Sequence, residues 1–168
     1  MNCYEIIWHF FYINKINMKL FLINIALFGG IVCVRACACD AENKYAKPKT
    51  GFERVNFEYV KKASDNGKIL IIDVREPCET KNGIIPNSIN IPIGRFAEDL
   101  GPMMSEEEFQ ERYLRPKPKK DSEFIIYCKL GKRSTIASNQ AVDLGYTNVK
   151  NYIGSWTEWI LRIHSISV

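Results

Sequence analysis

A buried-strand run that breaks off at a cysteine, followed at once by a short basic loop and a helix start, leaves few folds open. Phe124, Ile125, Ile126 and Tyr127 form such a run, strand-length and apolar on both sides. A helical pattern begins near Arg133 and continues to Leu144, with Gly145 placed as its stop. Between them lie Cys128, Lys129, Leu130, Gly131, Lys132 and Arg133. The loop therefore opens with a thiol and closes where the free backbone N–H groups of a helix begin. A thiol reacts as its thiolate, and helix N-termini and nearby cations favour that form. Gly131 supplies the freedom for a tight curl that turns the loop amides toward one point. Lys129, Lys132 and Arg133 put positive charge around it. The stretch is read as a site that stabilises a sulfur anion on Cys128 and binds an anionic substrate.

The rest of the chain supplies alternating strands and helices. Phe52–Val55 reads as a first strand, and Asn56 caps a helix carrying Phe57, Val60 and Ala63 that ends near Gly67. Residues 69–74 form an apolar run broken only by Asp73, which suits a strand buried on both faces. Residues 89–91 give a short third strand stopped by Pro92. Ser105 and Glu108 make a capping box for a helix through Tyr113, and 115–120 reads as a basic, extended surface loop. Residues 149–153 form the fifth strand and 155–163 the closing helix, with Trp156 and Trp159 as packing residues. This order predicts an α/β fold with a five-stranded, mostly parallel sheet and helices on both faces. Ligands of such sheets bind at the carboxyl ends of the strands, where Cys128 and the Asp73–Arg75 pair both fall.

The cysteine loop resembles the active-site loop of the rhodanese family of sulfurtransferases, Cys-x-x-Gly-x-Arg-Ser/Thr. Asp73-Val74-Arg75 resembles the family's strand ending in Asp-Val-Arg. The segment from Gly83 to Pro92 resembles its Gly-His-Ile-Pro-Gly-Ala-x-Asn-Ile-Pro motif, with Ile84 in place of the histidine and Asn87-Ser88 in place of Gly-Ala. The resemblance covers about residues 51–163. It is greatest to short single-domain thiosulfate sulfurtransferases of the glutathione-using type, insect members with a heat-shock label among them. The helix from Glu106 to Arg112, Tyr113 and the Leu144-Gly145-Tyr146 turn carry that subgroup likeness. It implies sulfur transfer through a persulfide on Cys128, with the loop residues 129–133 binding the anion and Arg133 closing the cradle. Asp73 and Arg75 are implied as a supporting ion pair. The implied partners are thiosulfate or a related donor and a thiol (glutathione or a protein thiol) or cyanide as acceptor, with no cofactor.

Two other readings stay open beside it. A persulfide carrier or a non-catalytic binding module of the same fold would keep the loop without turnover. Phosphatase or arsenate reductase chemistry on this fold uses five residues between cysteine and arginine, and here there are four. A metal site is not expected, because His9 and His164 lie far apart and no Cys-x-x-Cys occurs. Cys78 is read as a bystander thiol or, second, as a resolving thiol for Cys128.

Residues 1–39 stand apart. Lys19 is followed by a 15-residue apolar run, Leu20 to Val34, and an Ala-x-Ala pattern ends at Ala38. This reads as a secretory leader starting at Met1 or Met18, with a membrane anchor or an organelle leader as alternatives. Residues 40–51 read as a linker, 52–164 as the domain and 165–168 as a tail. The expected location is the secretory pathway or the exterior. The mitochondrion, the cytoplasm and a membrane-anchored state are the alternatives, and membrane contact depends on an uncleaved leader. An oxidising compartment sits poorly with a reactive thiol. Of 23 basic and 19 acidic residues, three and one precede Asp40, leaving 20 against 18. So even a balance argues against nucleic acid as a partner.

Overall fold

The computed structural model describes residues 51–166. The expected leader, most of the linker and the last two residues lie outside them. Five strands, β1 (Phe52–Val55), β2 (Leu70–Asp73), β3 (Ser88–Asn90), β4 (Phe124–Tyr127) and β5 (Val149–Tyr152), form one sheet in the order β1-β5-β4-β2-β3. Every pairing is parallel. Six helices connect or follow them: α1 (Phe57–Asn66), α2 (Pro77–Thr80), α3 (Ile93–Leu100), α4 (Glu106–Tyr113), α5 (Lys132–Asp143) and α6 (Ser155–Ile166).

Two-residue alternation along the central strands divides the core. Ile72 and Ile126 face Phe96, Leu100, Phe109, Ala137 and Ala141. Ile71, Ile125 and Tyr127 face Phe57, Val60, Ala63 and Trp159 on the other side. Both faces are covered, so the strands can be apolar throughout. No helix among the described residues is long and apolar enough to cross a membrane.

β1 and β4 match the expected runs, β2 is shorter by one residue at each end, β3 is shifted one residue earlier and β5 ends one residue early, while α5 starts one residue early and α6 continues to Ile166. Two helices carry no expectation from the sequence. α2 is a single turn opened by Pro77, and α3 follows Pro92, whose ring offers no side-chain cap. Where the family motif has its first glycine after proline, Asn87 adopts a left-handed φ of 63° and donates its amide to Ser64 O at 2.8 Å. Asparagine is one of the few residues that tolerates this conformation.

The 115–120 segment carries no helix or strand, as expected of a basic surface loop, and three of its cations reach helix ends. Arg115 donates to Gly67 O at 3.4 Å, Lys117 to Gly101 O at 2.6 Å and Lys120 to Leu144 O at 2.9 Å. Gly67, Gly101 and Leu144 are the C-caps of α1, α3 and α5. Each cation meets the negative end of a helix dipole and a carbonyl without an intrahelical partner. The loop is thus a strap across three helix ends, opposite the strand termini that carry the cysteine.

Candidate active site

β4 ends at Tyr127, and Cys128 follows with 1% of its surface exposed. The chain then curls back so that the Gly131 N–H points at Cys128 Sγ, 3.1 Å away. Gly131 makes the curl possible in two ways. Its φ is 84°, and a Cβ there would lie 2.4 Å from the carbonyl oxygen of Ile153. Only glycine meets both conditions. Its own carbonyl receives the Ser134 Oγ hydroxyl at 3.0 Å, the Thr135 Oγ1 hydroxyl at 2.8 Å and the Thr135 N–H at 3.2 Å.

The start of α6 holds the other side of the loop. Trp156 N–H donates to Cys128 O at 3.0 Å, and Thr157 gives its N–H and its hydroxyl to Lys129 O at 3.2 and 2.9 Å. Ser155 is buried with a left-handed φ of 55°. Its Oγ accepts the Cys128 N–H at 3.1 Å, donates to Tyr152 O at 2.8 Å and lies 3.8 Å from Cys128 Sγ. Sequence reading treats Ser155 as a helix start only. Nothing local marks it, because its contact with the cysteine spans 27 residues of chain.

Lys129, Leu130 and Lys132 are exposed on the loop, and Leu130 keeps 61% of its surface in solvent. Arg133 lies lower, in the first turn of α5, and its guanidinium forms a two-pronged ion pair with Glu79 at 2.5 and 2.8 Å. These hydrogen bonds hold the Glu79 carboxyl below its ordinary range against the opposing effect of burial. Glu79 is a second residue missed in the sequence. It sits on α2 beside the exposed Cys78, and also accepts the Glu76 N–H at 3.1 Å.

Asp73 and Arg75 form a buried pair, with Arg75 Nη2 2.6 Å from Asp73 Oδ2. The remaining guanidinium donors reach Gly83 O at 2.9 Å and Glu79 O at 3.4 Å. Burial pulls the guanidinium toward neutrality, and the bond and charge of Asp73 outweigh it. Arg75 stacks 4.7 Å from the Trp156 ring, and Trp156 is the residue whose amide holds the Cys128 carbonyl. Trp159 packs on Phe57 with ring centroids 5.3 Å apart. His164 is exposed in the last turn of α6.

A family model described as the rhodanese-like domain matches residues 56–162. A Schizosaccharomyces pombe protein named as a putative mitochondrial thiosulfate sulfurtransferase is 41% identical over 114 residues, covering 68% of this chain and 78% of its own length. A Homo sapiens thiosulfate:glutathione sulfurtransferase is 36% identical over 96 residues, or 56% of this chain and 82% of its own. Among solved structures, a human single-domain sulfurtransferase superposes with a TM-score of 0.60 at 33% identity, covering 65% of this chain and 96% of that one.

Proposed function

The chain belongs to the rhodanese-like domain family, and from that premise we propose that it is a thiosulfate sulfurtransferase working through a persulfide on Cys128. The observation that carries the proposal is the Gly131 N–H set 3.1 Å from a buried cysteine sulfur. A donor amide fixed at that distance stabilises negative charge on sulfur, in the attacking thiolate and in the persulfide. In the first step the Cys128 thiolate attacks the outer sulfur of thiosulfate. The bond to the sulfonate sulfur breaks, sulfite leaves with its electron pair, and Cys128 keeps a persulfide anion. In the second step an acceptor thiolate attacks the outer persulfide sulfur, carries it away as a new persulfide and returns Cys128 as thiolate.

The loop residues divide this work. Residues 129–133 form the anion cradle, with the Gly131 amide facing the sulfur and exposed Lys129 and Lys132 meeting the sulfonate. Leu130 forms the apolar tip. Arg133, held by Glu79, closes the cradle at the first turn of α5. Asp73 and Arg75 support the loop through Trp156. Four residues between Cys128 and Arg133 suit one sulfur and leave less room than the longer phosphatase loop. Glutathione is the proposed small acceptor, as in the name of the human relative. The mitochondrial naming of the S. pombe relative favours the organelle reading of residues 1–39 over the secretory one. A reducing interior also suits the thiol.

Sulfite release by the full chain, reduced and then freed of reductant, tests the assignment. Thiosulfate alone is expected to give a burst of one sulfite per chain, and added glutathione or cyanide to convert it into steady turnover. A burst that neither acceptor turns over would replace the enzyme with a persulfide carrier. Absence of a burst from folded protein would exclude thiosulfate as donor.

A further inference from the structure

Asn151 lies on β5 opposite Arg54 and Ile126, fully buried, in a strand flanked on both sides. Its Nδ2 donates to Thr135 Oγ1 at 3.1 Å, and among the described residues its Oδ1 is buried without a hydrogen-bond partner. A buried, unsatisfied amide oxygen is a standing cost that a leucine of similar size would avoid. A residue that carries such a cost invites a reason beyond packing.

The hydrogen bonds give one. A threonine hydroxyl has one proton, and Thr135 gives its proton to Gly131 O at 2.8 Å. Its oxygen must then accept from Asn151, which fixes both the amide's orientation and the direction of the hydroxyl. Gly131 O is thereby held from below, while Gly131 N–H is the group aimed at Cys128 Sγ. Threonine hydroxyls often bond back to the carbonyl four residues earlier. Here the carbonyl belongs to the residue whose left-handed backbone sets the sulfur's donor.

We infer that Asn151, acting through Thr135, is a positioning residue that holds the Gly131 amide on the reacting sulfur. This deepens the sulfurtransferase reading and rests on it. Sulfur chemistry would then depend on an amide that the fold itself does not need.

The test compares full-length Asn151→Leu, Thr135→Val and Thr135→Ser with the wild type, by two readouts. Sulfite release with thiosulfate should fall about tenfold in kcat for Asn151→Leu and Thr135→Val, the size expected when a hydrogen bond to a charged atom is weakened. KM should change less than about twofold, because the exposed lysines are untouched. Iodoacetamide alkylation of Cys128 at neutral pH should slow by about tenfold in the same two variants. Thr135→Ser, which keeps the hydroxyl, should restore both. Asn151→Leu should melt no lower than the wild type, since it removes the unsatisfied oxygen. Wild-type kinetics in both Asn151→Leu and Thr135→Val would overturn the inference, as would slowing that tracks lost stability in both. Should thiosulfate fail to load even the wild type, the sulfurtransferase reading fails alone, and the alkylation ratio still decides the role of Asn151.

Discussion

Replacing Gly131 with alanine tests the cradle with an internal control. The added Cβ would sit 2.4 Å from Ile153 O and 3.2 Å from its carbonyl carbon, and both are backbone atoms. Gly145 offers a matched case, with φ of 87° against 84° at Gly131 and nothing within 4 Å of its Cβ. Each alanine pays the left-handed penalty of roughly 1–2 kcal/mol. Only Gly131→Ala adds the clash, which the loop relieves by moving its amide off the sulfur. A hydrogen bond to a charged atom is worth roughly 1.5–3 kcal/mol, or about 10- to 150-fold in rate. Gly145→Ala should therefore lose about 1–2 kcal/mol in urea unfolding and keep the wild-type rate of sulfite release. Gly131→Ala should lose more stability and slow the burst at least about tenfold. Equal stability and equal burst rates in the two variants would refute the claim that a rigid, glycine-dependent amide serves the sulfur.

Ser155→Gly should relieve the left-handed backbone yet slow sulfur loading about tenfold, because it removes the hydroxyl 3.8 Å from Cys128 Sγ; stopped-flow sulfite release reads the rate and urea unfolding the stability. Glu79→Gln should cost about 1–2 kcal/mol at neutral pH, between values for exposed and buried pairs. The Glu79 carboxyl is held below its ordinary range in the folded state, so its contribution is full above the unfolded value and lost as pH falls through the folded one. Unfolding curves of wild type and Glu79→Gln should accordingly converge under acid, and a gap that persists there would contradict the pairing with Arg133. Lys120→Met removes both the cap on Leu144 O and a cation over the Tyr146 ring, 3.9 Å from its centroid. It should lower stability by about 1 kcal/mol and leave sulfur loading unchanged.

The sheet was legible because its strands carry their burial in their composition. Ile71, Ile72, Ile125 and Ile126 supply both faces of two neighbouring strands, and only a covered parallel sheet accommodates such runs. Asn56 and Ser105 likewise announced helices through local capping bonds of 3.1 Å each. α3 stayed hidden because Pro92 was read only as the stop of the third strand, and its helicity comes from burying Phe96 and Leu100. In the site, Cys128 and Gly131 were readable since their relation is local, three residues apart. Ser155, Glu79 and Asn151 were not, because each reaches the loop across the sheet or from a distant turn. The strap's partners were hidden for the same reason: the basic loop at 115–120 was visible, but the helix ends that receive its charges lie 16 to 48 residues away.

The most direct measurement is the intact mass of the full chain after thiosulfate, reduced and desalted beforehand, for the wild type and Cys128→Ser. The account predicts one added sulfur on the wild type, mapped to Cys128, removed by glutathione, and no addition to Cys128→Ser. Sulfur gained by the serine variant, or gained by the wild type at Cys78 instead, would contradict it.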